Sequence, residues 1–125
     1  MARRTGTPQS GARRGSFVPH TGDLLWLSFS PQAGKEQAGR RPALVLSPRT
    51  YNEPTGLCIV CPITSHIKHY PFEVELPEDL PVQGVVLADH VKSADWRQRD
   101  AAPIAVAPAE VIDQVRAKLR PLLGI

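Results

Sequence analysis

The sequence predicts a mainly β protein with α: a small, strongly curved antiparallel barrel with one C-terminal helix. Three observations carry this expectation. Short apolar or alternating runs recur along the 125 residues. They are separated by loops that draw on thirteen prolines and nine glycines, far more turn-formers than a helical bundle tolerates. Only one stretch, beginning at Pro108, carries apolar residues at helical spacing. The length supports one domain, and 42% apolar with 22% charged residues is a globular balance.

Asp23–Phe29 reads as the first strand, with Leu25, Leu27 and Phe29 on one face and Leu24 and Trp26 on the other, all assigned to the core. Residues 30–41 read as a long polar loop, and Ala43–Leu46 as a second strand. Residues 47–56 read as another loop. Leu57–Ile63 is apolar throughout, as in a strand buried on both faces. A loop over 64–71 follows, then the alternating strand Phe72–Leu76, a turn region over 77–83, and a strand over Gly84–Val91 with the polar end Asp89-His90. Ile104–Ala107 is the last short strand. Pro108 is placed at the first helical position, Val111, Ile112, Val115 and Leu119 form the buried stripe, and Pro121 is expected to stop the helix.

Charge and cysteine usage narrow the function classes. The net charge is +3, but four arginines and no acid fall in residues 1–16, leaving eleven basic against twelve acidic residues in 17–125. Residues 1–16 therefore read as a flexible basic tail, able to add non-specific attraction to phosphate, ahead of one domain over 17–125. No apolar run approaches the ~20 residues of a membrane span and no secretory signal is visible, so a cytoplasmic location is expected. Cys58 and Cys61 form a C-x-x-C, but no second ligand pair exists for zinc, and a redox pair belongs at a helix N-terminus rather than in a strand. Residues three apart on a strand point to opposite faces, so both thiols read as small buried hydrophobes.

The remaining basic residues gather in loops: Lys35, Arg40 and Arg41 in the first, Lys68 in the third, and Lys92, Arg97 and Arg99 after the fifth strand. Mixed with the aromatics Trp96 and Tyr70, they form a pattern that can hold single-stranded nucleic acid by phosphate contact and stacking, or simply be solvated. Arg41 differs from the others because it stands at a loop-to-strand junction just before Pro42. A guanidinium fixed there can fork two hydrogen bonds to a phosphate, or pair with Glu36.

Several blocks resemble one family in order and spacing. They are Gly22–Pro31, Glu36–Pro48, Tyr51-Asn52 with Thr55-Gly56, Cys61–Ser65, Tyr70–Glu73, and Val86–Ser93 with Asp95-Trp96-Arg97 and Arg99. Together they resemble the MazF/PemK toxin endoribonucleases of type II toxin–antitoxin systems, over essentially residues 18–125. The resemblance implies an SH3-like barrel and a homodimer that cleaves single-stranded RNA at short sequences without a metal or other cofactor. It implies attack of a ribose 2′-OH on the adjacent phosphorus, leaving 2′,3′-cyclic phosphate and 5′-OH ends and inhibiting translation and growth. It also implies a MazE-like antitoxin whose acidic C-terminal segment covers the RNA groove.

Carried over by motif, Arg41 matches the catalytic arginine, Thr64 the catalytic threonine, and Glu36 a glutamate linked to activity. An arginine does not serve readily as general base. Glu36 is the candidate base, with the alternative that it only orients Arg41. Gln37 and Gly39 would shape the loop over RNA, and Lys68 and Arg97 would contact phosphates or bases. His90 stands where the family usually has an amide residue, and Ser28 and Ser30 replace acids common in related sequences. His66 and His69 lie in the loop where specificity varies between relatives. The alternative is a CcdB-like DNA gyrase poison, which shares this barrel and acts by protein contact; the terminal Gly124-Ile125 resembles that family's end, whereas the Glu36–Pro42 and Thr64 constellation is not needed by a poison. A second alternative is a catalytically silent RNA- or antitoxin-binding module, against which Arg41, Thr64 and Glu36 speak.

Overall fold

The structure is a computed structural model that describes residues 17–29 and 39–125. Its elements follow in the order β1 (Asp23–Phe29), β2 (Gly39–Val45), α1 (Arg49–Thr55), β3 (Leu57–Thr64), β4 (Glu73–Glu75), β5 (Val85–Leu87), a 3₁₀ turn (Ala88–His90), β6 (Lys92–Asp95), β7 (Ala102–Val106) and α2 (Ala109–Leu123). Every strand pairing is antiparallel, in the spatial order β4-β5-β3-β2-β1-β7. The mainly β fold with a terminal helix is as expected, although this hydrogen-bonded order has two ends and does not close. β3 organises it. One edge of β3 pairs with β2, while the other pairs first with β6 and then, at Ile63 and Thr64, with β5.

Strand alternation divides the interior into two cores. Leu24, Leu44, Cys61, Ile63 and Val86 face α2, meeting Val111, Ile112, Val115 and Leu119. Leu25, Leu27, Phe29, Ala43, Val45, Cys58 and Val60 face the other way, toward Ala94 and Trp96. The two cysteines accordingly lie on opposite faces of β3 as free, buried thiols. Burial pushes both up to about 12, with the carboxylates of Asp95 and Asp89 adding to the shift at Cys58 and Cys61 respectively.

Several expectations are corrected. The stretch expected as the loop 47–56 contains α1, which starts after Pro48 and ends at Gly56 in the left-handed conformation (φ 73°). The helix is held by Asn52, which is fully buried. Its side-chain amide donates to Pro19 O (2.8 Å) and Ser47 O (2.9 Å), and its Oδ1 accepts from Ser47 Oγ (2.6 Å). Ser47 Oγ in turn accepts from Ile59 N (2.8 Å), which ties α1 to β3. Residues 92–95, read as loop, form β6 beside β3.

β6 draws Trp96 inside, where its Nε1 donates to Asn52 O at 3.0 Å, so Trp96 is not an exposed stacking aromatic. Trp26, expected in the core, is 37% exposed, because it lies opposite Pro42 beyond the reach of the α2-facing core. Asp89-His90 end in the 3₁₀ turn rather than a strand. Pro108 caps α2 with an extended backbone instead of occupying its first turn. Pro121 does not end α2: its φ suits a helix and only its own donor is lost, so the chain continues to Gly124, which is left-handed at φ 71°. The last residues of the expected 30–41 loop, Gly39–Arg41, are strand. The rest of that loop, and the basic tail 1–16, lie outside the described residues. Among the described residues no helix is long and apolar enough to cross a membrane.

Candidate active site

Arg41 is strand because Pro42 follows it. The proline ring disfavours helical backbone at the preceding residue. In β2 it stands directly opposite Leu27, half-buried, on the face that carries Leu27 and Phe29. Thr64 is the last residue of β3 and pairs with Val85 of β5. β2 and β3 are in register at Ala43↔Pro62, Leu44↔Cys61 and Val45↔Val60. Extending that register by two residues sets Arg41 across from Thr64, on the same face of the sheet. Residues so placed lie about 5 Å apart at Cβ. That register sets Arg41 and Thr64, 23 positions apart in sequence, toward the same end of the sheet.

Local bonds orient the threonine. Thr64 Oγ1 accepts the amide of His66 at 3.1 Å, an arrangement that uses an oxygen lone pair and leaves the hydroxyl proton to donate. Behind it, Gly84 approaches the Thr64 peptide at a distance that no side chain permits. A Cβ there would stand 2.1 Å from Thr64 O, and its φ is +124°. Gly84 was not among the expected site residues. A glycine at the start of a strand was the available signal.

The 65–70 segment that leaves Thr64 is exposed and carries His66, Lys68, His69 and Tyr70. It is held by Glu73, whose carboxylate accepts the amides of Lys68 (3.2 and 3.3 Å) and His69 (3.0 Å). His69 adopts φ 59°, a turn that this anchoring helps hold. Tyr70 and Phe72 rings stand 5.7 Å apart beside it. Lys68 is therefore held, exposed, in the segment that leaves Thr64. Gly39 is exposed opposite Phe29, with φ 83° and nothing within 4 Å of a notional Cβ, so backbone conformation rather than space requires glycine.

Other expected residues stand apart. Arg97 follows Asp95, which pairs with Leu57 at the opposite end of β3 from Thr64. Seven residues of strand separate those ends, roughly 23 Å. Its guanidinium stacks 4.9 Å over the Trp96 ring and donates to Glu53 O at 2.7 Å. Arg40 is engaged as well, with Asp100 O (2.9 Å), the Asp100 carboxylate (3.5 Å) and Ser28 Oγ (3.4 Å). Glu36 and Gln37 lie outside the described residues. Among the described residues no group of three His, Cys, Asp or Glu is placed to hold a metal ion.

This geometry, a half-buried arginine beside an oriented hydroxyl, suits a phosphodiester: the first supplies charge to non-bridging oxygens and the second a hydrogen bond. The sequence profile of the family described as the PemK-like, MazF-like toxin of type II toxin–antitoxin system matches residues 20–123. The chain belongs to that family. Among its relatives, the endoribonuclease toxin MazF of Escherichia coli K12 is 47% identical over 108 residues, spanning 86% of this chain and 96% of that protein. The endoribonuclease toxin ChpB of the same strain is 38% identical, across 79% and 89% of the two chains. The crystal structure of MazF from Deinococcus radiodurans superposes with a TM-score of 0.84 at 61% identity, covering 87% of this chain and 99% of that one. A MazE–MazF complex from the same organism gives 0.80 at 60% identity, with the same coverage. The MazF-like fold thus accommodates the described residues end to end, and Arg41 and Thr64 lie within the matched segment.

Proposed function

We propose that this chain is an endoribonuclease toxin of a type II toxin–antitoxin system that cleaves single-stranded mRNA at a short sequence, inhibiting translation and growth. Its relatives are named endoribonucleases. What supports the reading is the β2–β3 register, which, carried two residues past its last pair, Ala43↔Pro62, brings Arg41 toward Thr64. In the proposed reaction the ribose 2′-oxygen attacks the adjacent phosphorus in line, the P–O5′ bond breaks, and a 2′,3′-cyclic phosphate and a 5′-OH result. DNA lacks that nucleophile, which accounts for RNA selectivity.

Arg41 holds the non-bridging oxygens as negative charge builds on the phosphorane, and Thr64 donates its hydroxyl hydrogen to one of them. A guanidinium does not give up its proton at neutral pH. Glu36 takes the proton of the 2′-OH in this scheme, and water supplies one to the departing 5′-oxygen while Arg41 keeps its charge. Gln37 and Gly39 shape the loop over the RNA, and Lys68 meets a flanking phosphate or base. Arg97 enters only as a contact to RNA beyond the cut. The protein works without a metal, as a homodimer in the cytoplasm, and is held silent by a MazE-like antitoxin whose acidic segment competes for the basic site. MazF of D. radiodurans is itself crystallised with MazE.

The test is cleavage of a long single-stranded RNA in EDTA by the wild type and by Arg41→Ala, with product ends mapped. Cuts at one short motif bearing 2′,3′-cyclic phosphate, lost in the variant, are expected. A folded wild-type protein that leaves RNA intact overturns the proposal.

A further inference from the structure

The apolar stripe of α2 outruns the sheet beneath it. Val111, Ile112, Val115 and Leu119 are buried in the core. Leu122 and Leu123, three and four residues further on, continue the same stripe, yet they are 44% and 56% exposed. Gly124 then turns the chain with φ 71°, and the amide of Ile125 donates to Arg120 O at 3.0 Å. Ile125, 83% exposed, is thereby held at the same helix end as the two leucines. Apolar side chains scattered singly over a surface mean little. Three within four positions, fixed by a helix and its cap, form an apolar patch.

The charges around the patch say what would cover it. Residues 114–125 carry Arg116, Lys118 and Arg120 and no acid. Lys118 donates to Pro71 O, which ties one flank of the helix to the loop before β4. Arg116 and Arg120 are exposed and pair with no carboxylate among the described residues. They precede Leu123 by seven and three residues, so both border its side of the stripe. The helix dipole favours a cation in the last turn, which accounts for Arg120 but neither for Arg116 nor for the leucines. A second copy of this chain seated patch to patch would set like charges together. Residues 1–16, with four arginines and no acid, would be repelled as well. An acidic segment that also carries apolar side chains satisfies both features at once.

We propose that the end of α2 is a docking surface for an acidic, apolar-anchored peptide segment of the partner protein. Leu122, Leu123 and Ile125 receive its apolar side chains, and Arg116 and Arg120 its carboxylates. The proposal rests on the toxin–antitoxin reading. It gives the antitoxin a contact made of residues that have no part in holding or cutting RNA.

The experiment uses the full chain and, as probe, the MazE protein of D. radiodurans, which is crystallised with a MazF 60% identical to this chain. Dissociation constants for MazE, and RNA cleavage without MazE, are measured for four proteins. These are the wild type, the double variant Leu122→Ser with Leu123→Ser, the double variant Arg116→Glu with Arg120→Glu, and Val106→Ser. Val106 is an exposed apolar residue of β7 and serves as the control. All substituted positions are exposed, and denaturant unfolding checks that the fold is kept. Both double variants are expected to bind MazE at least about tenfold more weakly. Their cleavage of RNA should stay within about twofold of the wild type. The charge variant should also lose part of the salt dependence of binding. Val106→Ser should bind as the wild type does. Unchanged MazE affinity in both folded double variants overturns the docking surface alone, as does a wild type that cuts RNA without binding MazE. A raised KM for RNA in the charge variant, or an altered oligomeric state of the serine variant in sedimentation, assigns the patch to RNA or to a second copy and overturns the inference. A wild type that neither cuts RNA nor binds MazE overturns it together with the toxin reading.

Discussion

Gly84 packs against Thr64 so closely that a Cβ at position 84 would stand 2.1 Å from the Thr64 carbonyl oxygen and 2.8 Å from its carbonyl carbon. The obstacle is backbone, not a side chain that can swing aside. The same strand pairs Val85 with Thr64, so the end of β3 is set by how near β5 comes. Gly84→Ala must push the two strands apart or break the φ of +124°. Cleavage is expected to fall at least tenfold and stability by about 2–4 kcal/mol, measured by denaturant unfolding and RNA turnover. Wild-type turnover from a variant of native stability would show that this approach does not position Thr64.

Arg40 and Arg41 are neighbours on opposite faces of β2, and they should separate cleanly. Arg40 spends its guanidinium on Asp100 and Ser28 at the surface. Arg40→Ala is expected to cost no more than about 1 kcal/mol and to leave cleavage within twofold. Arg41→Ala should lose cleavage by a factor of about 100 or more, since a preorganised donor to developing charge is removed. Equal losses for the two would mean that net charge, not placement, drives the chemistry.

Glu73 should control the loop that follows Thr64. Its carboxylate accepts two successive amides, from Lys68 and His69. Glu73→Ala leaves both donors to water, and hydrogen exchange at those amides should accelerate while the core amides of β3 keep their protection. Cutting should spread to related sequences as the loop loses its fixed shape. Unchanged exchange at positions 68 and 69 would refute the anchoring.

Asn52 should be the costliest single polar residue to remove. Its fully buried side chain joins the 17–20 segment, Ser47 and α1, while its backbone carbonyl accepts the Trp96 indole. Asn52→Ala strands the Ser47 hydroxyl and the Pro19 carbonyl, and about 2–4 kcal/mol of stability is expected to go. Thermal or denaturant unfolding reads this directly, and a loss under about 1 kcal/mol would contradict it.

The two thiols set an alkaline limit. Their folded values, about 12, lie above the ordinary 9.0, so the folded state retains protons that the unfolded chain has released. Their contribution to stability is whole below pH 9.0 and falls as the pH climbs from there toward about 12. Native protein at pH 8 should resist iodoacetamide, and unfolded protein should take two equivalents. Cys58→Ala should flatten the alkaline slope. Rapid native labelling would show the thiols to be open.

Much of this was readable from residues alone. Alternation in Asp23–Phe29 marks its two faces because a strand's period of two is fixed by its pleat. The three-residue spacing of Cys58 and Cys61 separates them for the same reason. Arg41, Thr64 and Lys68 were recognisable by resemblance; Arg41 lies in β2, Thr64 ends β3, and Lys68 lies in the exposed segment that follows. The signals for α1 were read as turn chemistry: Pro48 and Gly56 delimit it, but its interior, with Asn52 and Pro54, lacks an apolar stripe. That helix forms because a buried asparagine organises the surrounding backbone, a tertiary cause with no local pattern. Trp26 and Trp96 exchanged their expected places for a related reason. Hydrophobicity says that a side chain favours burial, but not whether a neighbouring strand arrives to cover it.

By itself, then, the sequence determined the strand faces, the helical stripe of α2, the inert cysteines and the residue types needed to grip a phosphodiester, because each depends on local period or on the chemistry of a single side chain. Only the tertiary structure decided that Gly84 presses on Thr64, that Glu73 anchors the next loop, that Arg97 stands at the far end of β3, and that Lys92 lies over the Phe29 ring. Those are relations between strands, and they follow from register and curvature, which exist only once the sheet has formed.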